Sequence, residues 1–140
     1  MRLVPVDAGN WRSVAALTAD SDFVSPVTYY LCLCTYGGLW QPLAVEREGE
    51  IVGFVIWGED DDHSRWIGGL VVDAGRRRQG IGRAIVHALQ ERFAAEPGCP
   101  NVALSYSPEN TAARDLYASL GFRETGEQED DEVVARWACA

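Results

Sequence analysis

Apolar and polar residues recur with recognisable periods along the chain, and these periods predict its first elements. Residues 1–6 alternate and predict a strand, while residues 7–20 carry apolar side chains on one side, as a short helix does. Ser25-Pro26 is typical of a helix start, because serine caps and proline suits the first turn. The second helix is predicted to end near Gly37-Gly38.

Three further runs, residues 42–47, 51–57 and 66–72, are rich in β-branched and aromatic residues. Short polar turns separate them, so we predict an antiparallel meander.

The pattern then changes to alternating helices and strands. Residues 80–93 have apolar side chains at helical spacing and predict a helix. We then predict a strand at 102–106, a helix at 110–120 that Gly121 closes, and a final hairpin of residues 122–128 with 133–138. The predicted fold is α+β: a mixed, mainly antiparallel sheet of about six to seven strands with helices on both faces.

Composition narrows the choice of function. The 140 residues fit one domain, residues 1–140, with 47% hydrophobic and 24% charged residues. The net charge is −9 and all 12 basic residues are arginine, a balance that argues against a nucleic-acid partner. We see no membrane-spanning run and no signal peptide, so we expect a cytoplasmic protein without a membrane partner.

The cysteines do not indicate a metal site. Cys32, Cys34, Cys99 and Cys139 form no C-x-x-C pair, and the two histidines lie far from Cys32 and Cys34 in sequence. We therefore expect four reduced thiols and no bound metal.

The most informative stretch is the glycine-arginine turn, residues 75–83, which joins a predicted strand to a predicted helix. Unpaired N–H groups and the positive dipole end of the helix favour an anion there, and glycines let a ligand approach the backbone. Arg76, Arg77, Arg78 and Arg83 add positive charge in an acidic chain. Lysine and a hydroxyl residue are missing after Gly80, and Ile85 stands at the third glycine site, so the Walker and dinucleotide motifs both fail.

Two sequence blocks carry a resemblance to a known family. Arg77, Gly80 and Gly82 match [RQ]-x-x-G-x-[GA], and residues 110–122 match N-x-x-A-x-x-x-Y-x-x-x-G-F. In this order, with a helix and a strand between them, the blocks resemble the GNAT superfamily of acetyl-CoA-dependent N-acetyltransferases. The resemblance implies a single-domain GNAT-like fold and an acyl-CoA N-acyltransferase with acetyl-CoA as cosubstrate.

The resemblance also implies roles for individual residues. Tyr117 protonates the leaving thiolate, and a backbone N–H of Val71 or Val72 polarises the thioester carbonyl. Coenzyme contacts are expected from Leu70, Val71, Val72, Arg77, Arg78, Gly80, Ile81, Gly82, Arg83 and Asn110. Tyr117 has a plain alternative as a core aromatic residue, and Asn110 is also suited to cap its helix.

The general base and the acceptor stay open at this point. Glu59 is a candidate catalytic base, because it ends a strand expected to border the cleft, although acidic turns are usually only solvated. Trp57, Trp66, Tyr29 and Tyr30 are candidates for an acceptor pocket, with core packing as the commoner role.

Acidic clusters at residues 59–62 and 124–132 favour a small cationic amine as acceptor. Residues 66–82 and the acidic turn also resemble diamine and polyamine acetyltransferases. The alternatives are acetylation of a protein N-terminus or lysine, and a non-catalytic acyl-CoA-binding or sensing domain. A homodimer is the expected assembly.

Overall fold

Seven strands form one sheet. The computed structural model describes residues 1–19 and 22–139. The strands are β1 (Arg2–Pro5), β2 (Gln41–Arg47), β3 (Glu50–Glu59), β4 (Arg65–Val72), β5 (Asn101–Tyr106), β6 (Arg123–Glu129) and β7 (Glu132–Ala138). Their spatial order is β1-β2-β3-β4-β5-β7-β6. Neighbours pair antiparallel except for β4 and β5, which run parallel.

In the part of the chain that the structure describes, four α-helices cover the sheet: α1 (Trp11–Ala15), α2 (Val27–Tyr36), α3 (Ile81–Ala94) and α4 (Thr111–Ser119). Because successive strand residues point to opposite faces, the sheet supplies two separate cores. Phe54 and Val71 pack with residues of α1 and α2, whereas Val55 and Leu104 pack with residues of α3 and α4. The predicted sheet, with helices on both faces, is confirmed.

The first helix is shorter than predicted. The Asp7 side chain accepts hydrogen bonds from the backbone N–H groups of Gly9 and Asn10, at 2.8 and 3.0 Å, so residues 8–10 form a turn. The helix then ends at Ala15, and Asp20, the predicted last residue, lies outside the described residues.

The predicted serine cap of the second helix is wrong. Pro26 occupies the N-cap position of α2, without a side-chain hydrogen bond to the helix. The backbone N–H of Ser25 donates instead to the Tyr30 hydroxyl at 3.2 Å.

The prediction of four reduced thiols is wrong for two of them. Cys99 and Cys139 form a disulfide, with their Cα atoms 6.2 Å apart. The pairing of Asn101 with Ala138 brings these cysteines together across β5 and β7, although they are far apart in sequence. Cys32 and Cys34 are free thiols.

Neither a membrane-spanning helix nor a cluster of metal-binding side chains occurs in the part of the chain that the structure describes. No helix in residues 1–19 and 22–139 is long and apolar enough to cross a bilayer. The same residues contain no group of three or more His, Cys, Asp or Glu side chains arranged to hold a metal ion.

Candidate active site

A cavity opens where the two parallel strands part. β4 and β5 pair only at Arg65 with Val102 and at Trp66 with Ala103. The register between β3 and β4 also shifts, which leaves Gly69 and Leu70 without Cα partners in β3. A cavity of about 540 Å³ lies against both residues. Backbone groups released from the ladder are therefore available beside it.

Gly69 lines the cavity at the bulge of β4 and was not singled out in the sequence. Its φ is +55°, and a Cβ at this position would lie 2.9 Å from the ring of Tyr30. Glycine therefore permits both the backbone conformation and the close packing of α2 on the bulge. The signal was present in the Gly68-Gly69 pair, because glycine inside a strand pattern often marks a bulge.

The glycine-arginine turn has the backbone form expected of an anion site. Arg78 and Gly80 adopt left-handed conformations, with φ of +63° and +72°. Gly80 is the N-cap of α3, and a Cβ there would meet no atom within 4 Å. The first N–H groups of the helix have no intrahelical acceptor, so the exposed turn presents donors with little side-chain cover.

Arg76 and Arg83 of this turn contact other elements of the fold. Arg76 forms an ion pair with Glu50 of β3. Arg83 donates to the Ser119 hydroxyl at 2.6 Å, which connects the start of α3 to the end of α4. Both arginines hold the turn in place through these contacts, while Arg77 and Arg78 are exposed.

The Tyr117 side chain projects from α4 to the cavity. It is half-buried, with ring centroids 5.6 Å from Tyr106 and 6.0 Å from Phe122. Burial, with smaller effects from Tyr106 and the Glu132 carboxylate, raises the pKa of Tyr117 to about 12. The phenol therefore carries its proton at neutral pH, which is the form that a proton donor requires.

Asn110 has the capping role that its sequence position allowed. Its side-chain oxygen accepts a hydrogen bond from the Ala113 N–H at 3.2 Å, at the start of α4. The residue also lines the cavity. Capping leaves its amide nitrogen available to a ligand.

Glu59 lies at the rim of the cavity, where His63 and Arg65 contact its carboxylate. One oxygen is 2.8 Å from His63 Nδ1, and the other is 3.6 Å from the guanidinium of the buried Arg65. The hydrogen bond from His63, and then the charge of Arg65, hold the pKa of Glu59 below its usual value. A carboxylate with a lowered pKa is a weaker proton acceptor.

Both predicted acidic clusters contribute to the same cavity. Six carboxylates line it, and we call them the acidic rim: Glu59, Asp60, Glu129, Asp130, Asp131 and Glu132. Among the described lining residues there is no Lys, Arg or His. The two groups line the cavity from opposite ends of the sheet, because the β3–β4 turn lies beside the first residues of β5 and the β6–β7 hairpin beside its last. The field in the cavity therefore favours cations.

The aromatic candidates divide between the two faces. Tyr29, Tyr30 and Trp66 line the cavity, together with Trp40, which the sequence reasoning did not single out. Trp57 faces the opposite core and packs on Phe93, with ring centroids 5.4 Å apart. An aromatic wall beside carboxylates suits an ammonium group with an apolar body.

One further pair of polar residues was missed by the sequence reasoning. Ser105 of β5 donates its hydroxyl to Glu132 of β7 at 2.8 Å, and both line the cavity. The sequence shows Glu132 only as the last member of an acidic stretch. Its position follows from the pairing of β5 with β7, strands that are separated in sequence by α4 and β6.

Known proteins resemble this chain in sequence and in fold. Residues 11–122 match the family described as Acetyltransferase (GNAT) family. A spermine/spermidine N(1)-acetyltransferase of Bacillus subtilis (strain 168) is 30% identical over 95 residues, which are 63% of this chain and 62% of that protein. The chain thus spans less than two thirds of this relative.

Solved structures share the fold at low sequence identity. The ribosomal-protein-S18-alanine N-acetyltransferase of Escherichia coli superposes with a TM-score of 0.76 at 20% identity, over 99% of this chain and 94% of that one. Arabidopsis thaliana NAA60 in complex with acetyl-CoA gives a TM-score of 0.73 at 17% identity, over 98% and 97% of the two chains.

Proposed function

The chain belongs to the GNAT family of acetyltransferases, and we propose that it transfers the acetyl group of acetyl-CoA to a primary amine of a small cationic molecule. The observation that carries the choice of acceptor is the acidic rim, with six carboxylates and no basic side chain among the described residues that line the cavity. A cationic amine balances that charge, whereas an anionic acceptor is repelled.

The glycine-arginine turn is the proposed site for the coenzyme phosphates. The open backbone at Gly80 and the free N–H groups at the start of α3 support this assignment. Leu70, Val71 and Val72 approach from β4, and Asn110 from α4, as the proposed contacts of the pantetheine arm. The coenzyme supplies an activated acetyl thioester.

The proposed transfer is a direct attack on that thioester. The amine nitrogen forms a bond to the carbonyl carbon, and the carbon–sulfur bond breaks. Tyr117 donates its proton to the departing sulfur, since the phenol is protonated at neutral pH. Backbone N–H groups of β4 stabilise the charge that develops on the carbonyl oxygen.

The aromatic wall supports an acceptor with an apolar body between charges. Tyr29 and Tyr30 meet edge to face, with ring centroids 5.4 Å apart, and both border the cavity. Aliphatic carbons pack on such rings, while ammonium groups are attracted to their faces. The similarity to a protein named for spermine and spermidine supports the same class of acceptor.

A thiol-release assay tests the proposal. The chain is incubated with acetyl-CoA and either 1,4-diaminobutane, spermidine, butylamine, or a short peptide with a free alanine N-terminus. We expect the diamines and spermidine to give the highest kcat/KM. A best substrate without a second positive charge contradicts the proposed acceptor, and a preference for the peptide favours protein acetylation. Coenzyme binding without turnover of any amine favours a sensing domain.

A further inference from the structure

Glu59 and Glu132 are the two carboxylates considered as proton acceptor, and their surroundings differ. We propose that Glu132, held by Ser105, is the general base that takes the proton from the acceptor amine. This inference rests on the proposed acetyltransferase function. It assigns the base to a residue that the sequence presents only as one member of an acidic stretch.

The two faces of the sheet place Glu132 opposite the proton donor. Leu104 and Tyr106 of β5 pack in the core with residues of α3 and α4. Ser105 lies between them in sequence and therefore points to the other face, where its hydroxyl bonds Glu132. Tyr117 reaches the same cavity from α4. The gap between β4 and β5 thus lies between a base on one face and an acid on the other.

This arrangement fits the two proton transfers of the reaction. The ammonium form of the acceptor gives a proton to Glu132, and the free amine attacks the thioester carbon. Tyr117 protonates the departing thiolate from the other side. Glu132 releases this first proton to solvent and then takes the second proton from the nitrogen of the adduct, which also passes to solvent, while a proton from solvent restores the Tyr117 phenol. The net products are an amide, a thiol and one proton, which balances the charge of the ammonium substrate.

Glu59 is less suited to this role. His63 and Arg65 contact its two oxygens and lower its pKa. The Arg65 guanidinium is buried and also contacts Glu96 at 3.0 Å, so Glu59 shares in neutralising a buried cation. Ser105, by contrast, is neutral and orients the Glu132 carboxylate without cancelling its charge.

Three further carboxylates share the β6–β7 hairpin with Glu132. Glu129 lies opposite it in the β6–β7 ladder, and Asp130 and Asp131 form the hairpin turn between them. Tyr117 is within reach of its charge. These neighbours attract the ammonium substrate, while only Glu132 among the four hairpin carboxylates bonds to β5 beside the gap.

The test compares Glu132→Gln with Glu59→Gln on two amines. An amine of high pKa needs a base, whereas an amine of low pKa is already largely neutral and needs one much less. The amines are 1,4-diaminobutane and 2,2-difluoro-1,4-diaminobutane, since fluorine lowers the pKa of the neighbouring amine. We expect Glu132→Gln to lower kcat/KM about 100-fold on the first amine and less than about 10-fold on the second.

Glu59→Gln is the matched control, because it removes the same charge from the same cavity. We expect it to raise KM while the ratio between the two amines stays at the wild-type value. Ser105→Ala should lower kcat about 10-fold and Ser105→Thr should restore it, which identifies Ser105 as a positioning residue. Calorimetry with coenzyme A confirms that each variant keeps its coenzyme site.

The outcomes separate two failures. If Glu132→Gln keeps the wild-type ratio between the amines, or if Glu59→Gln changes that ratio instead, Glu132 is not the base. If the wild-type chain releases no thiol with either amine or with spermidine, the proposed function itself fails. If Glu132→Gln does not fold, Ser105→Ala tests the role of Glu132 instead, because this variant keeps the carboxylate and removes only the hydroxyl that orients it. An unchanged kcat in Ser105→Ala then overturns the proposal.

Discussion

The proposed coenzyme side and the proposed acceptor side of the site are assembled from very different lengths of chain. Residues 70–83 form one continuous strand-turn-helix unit, in which a left-handed Gly80 opens α3. The acidic rim instead joins Glu59 and Asp60 to the hairpin residues 129–132. Its members come from distant parts of the sequence, and the strand pairing places them at opposite ends of the sheet beside one cavity.

This difference explains why the two sides vary in how much the sequence reveals. A phosphate cradle needs particular residues at adjacent positions, so its requirements remain visible as a short motif. An acceptor pocket needs only a shape and a charge, which many residues at many positions provide. The comparison predicts that substitutions on the coenzyme side act alone and strongly, while those on the acidic rim act together and weakly.

The largest effect is expected where the two sides meet, at Tyr117. Tyr117→Phe removes the proposed proton donor and should lower kcat about 100-fold, while Kd for the coenzyme changes less than about 2-fold. Steady-state kinetics and calorimetry measure both quantities. Tyr106→Phe is the control, because the Tyr106 ring lies next to that of Tyr117, with the two ring centroids 5.6 Å apart. Loss of the Tyr106 hydroxyl should lower kcat at most a few-fold. Equal losses in the two variants would reduce Tyr117 to a packing role.

Gly82→Val tests the coenzyme side alone. A Cβ at Gly82 would lie 3.7 Å from Val72 Cγ2, an ordinary contact, and valine is a better helix former than glycine. The fold should therefore tolerate the change, while the larger side chain covers the N–H groups at the start of α3. We expect Kd for coenzyme A to rise about 30-fold, equivalent to about 2 kcal/mol, with Tm within a few degrees of the wild type.

A Gly82→Val variant that binds coenzyme A as tightly as the wild type would place the phosphates elsewhere. If Gly82→Val changes KM for the amine but leaves Kd for coenzyme A unchanged, the coenzyme side and the acceptor side are not separate sites.

The elements and the coenzyme motif were predictable because their signals are local. The α3 helix is visible from apolar residues at helical spacing, and Asn110 was placed correctly at the cap of α4. Each of these depends on residues within a few positions of one another. The predicted start of α1 was wrong because the Asp7 side chain binds the backbone N–H groups of Gly9 and Asn10, which holds these residues in a turn before the helix.

What could not be predicted depends on strand order. The partner of Ser105, the disulfide between Cys99 and Cys139, and the position of Glu132 all follow from the pairing of β5 with β7. A hairpin pattern predicts that β6 and β7 are neighbours, but not which of them lies next to β5. The proposed acceptor side could not be predicted for the same reason, since Ser105 lies on β5 and Glu132 lies on β7.

A smaller effect is expected from the burial of Tyr117. An unfolded tyrosine loses its proton near pH 10, whereas the folded pKa is raised to about 12. Unfolding between these values releases a proton, so this contribution to stability is complete below pH 10 and is lost as pH rises toward 12. Between pH 9 and 11, the free energy of unfolding of the wild type should fall about 1 kcal/mol more than that of Tyr117→Phe. Chemical denaturation at several pH values measures this difference, and identical pH profiles would mean that the phenol is solvated.

The smallest effect, and the one most specific to the acceptor side, is the response to salt. Each exposed carboxylate contributes only about 0–1 kcal/mol to holding an ammonium group, so the acidic rim acts through its sum. Nearby carboxylates also raise the pKa of the reacting amine, which opposes catalysis unless they hold a distal charge. Salt screens exposed charges beyond about 10 Å at 0.1 M, so kcat/KM for spermidine should fall about 3- to 10-fold between 50 and 500 mM NaCl. Butylamine has no distal charge and should change less than about 2-fold, while coenzyme affinity measured in parallel corrects for screening at the glycine-arginine turn. If both amines respond equally after this correction, the acidic rim does not select the acceptor and its carboxylates only solvate the hairpin and the turn.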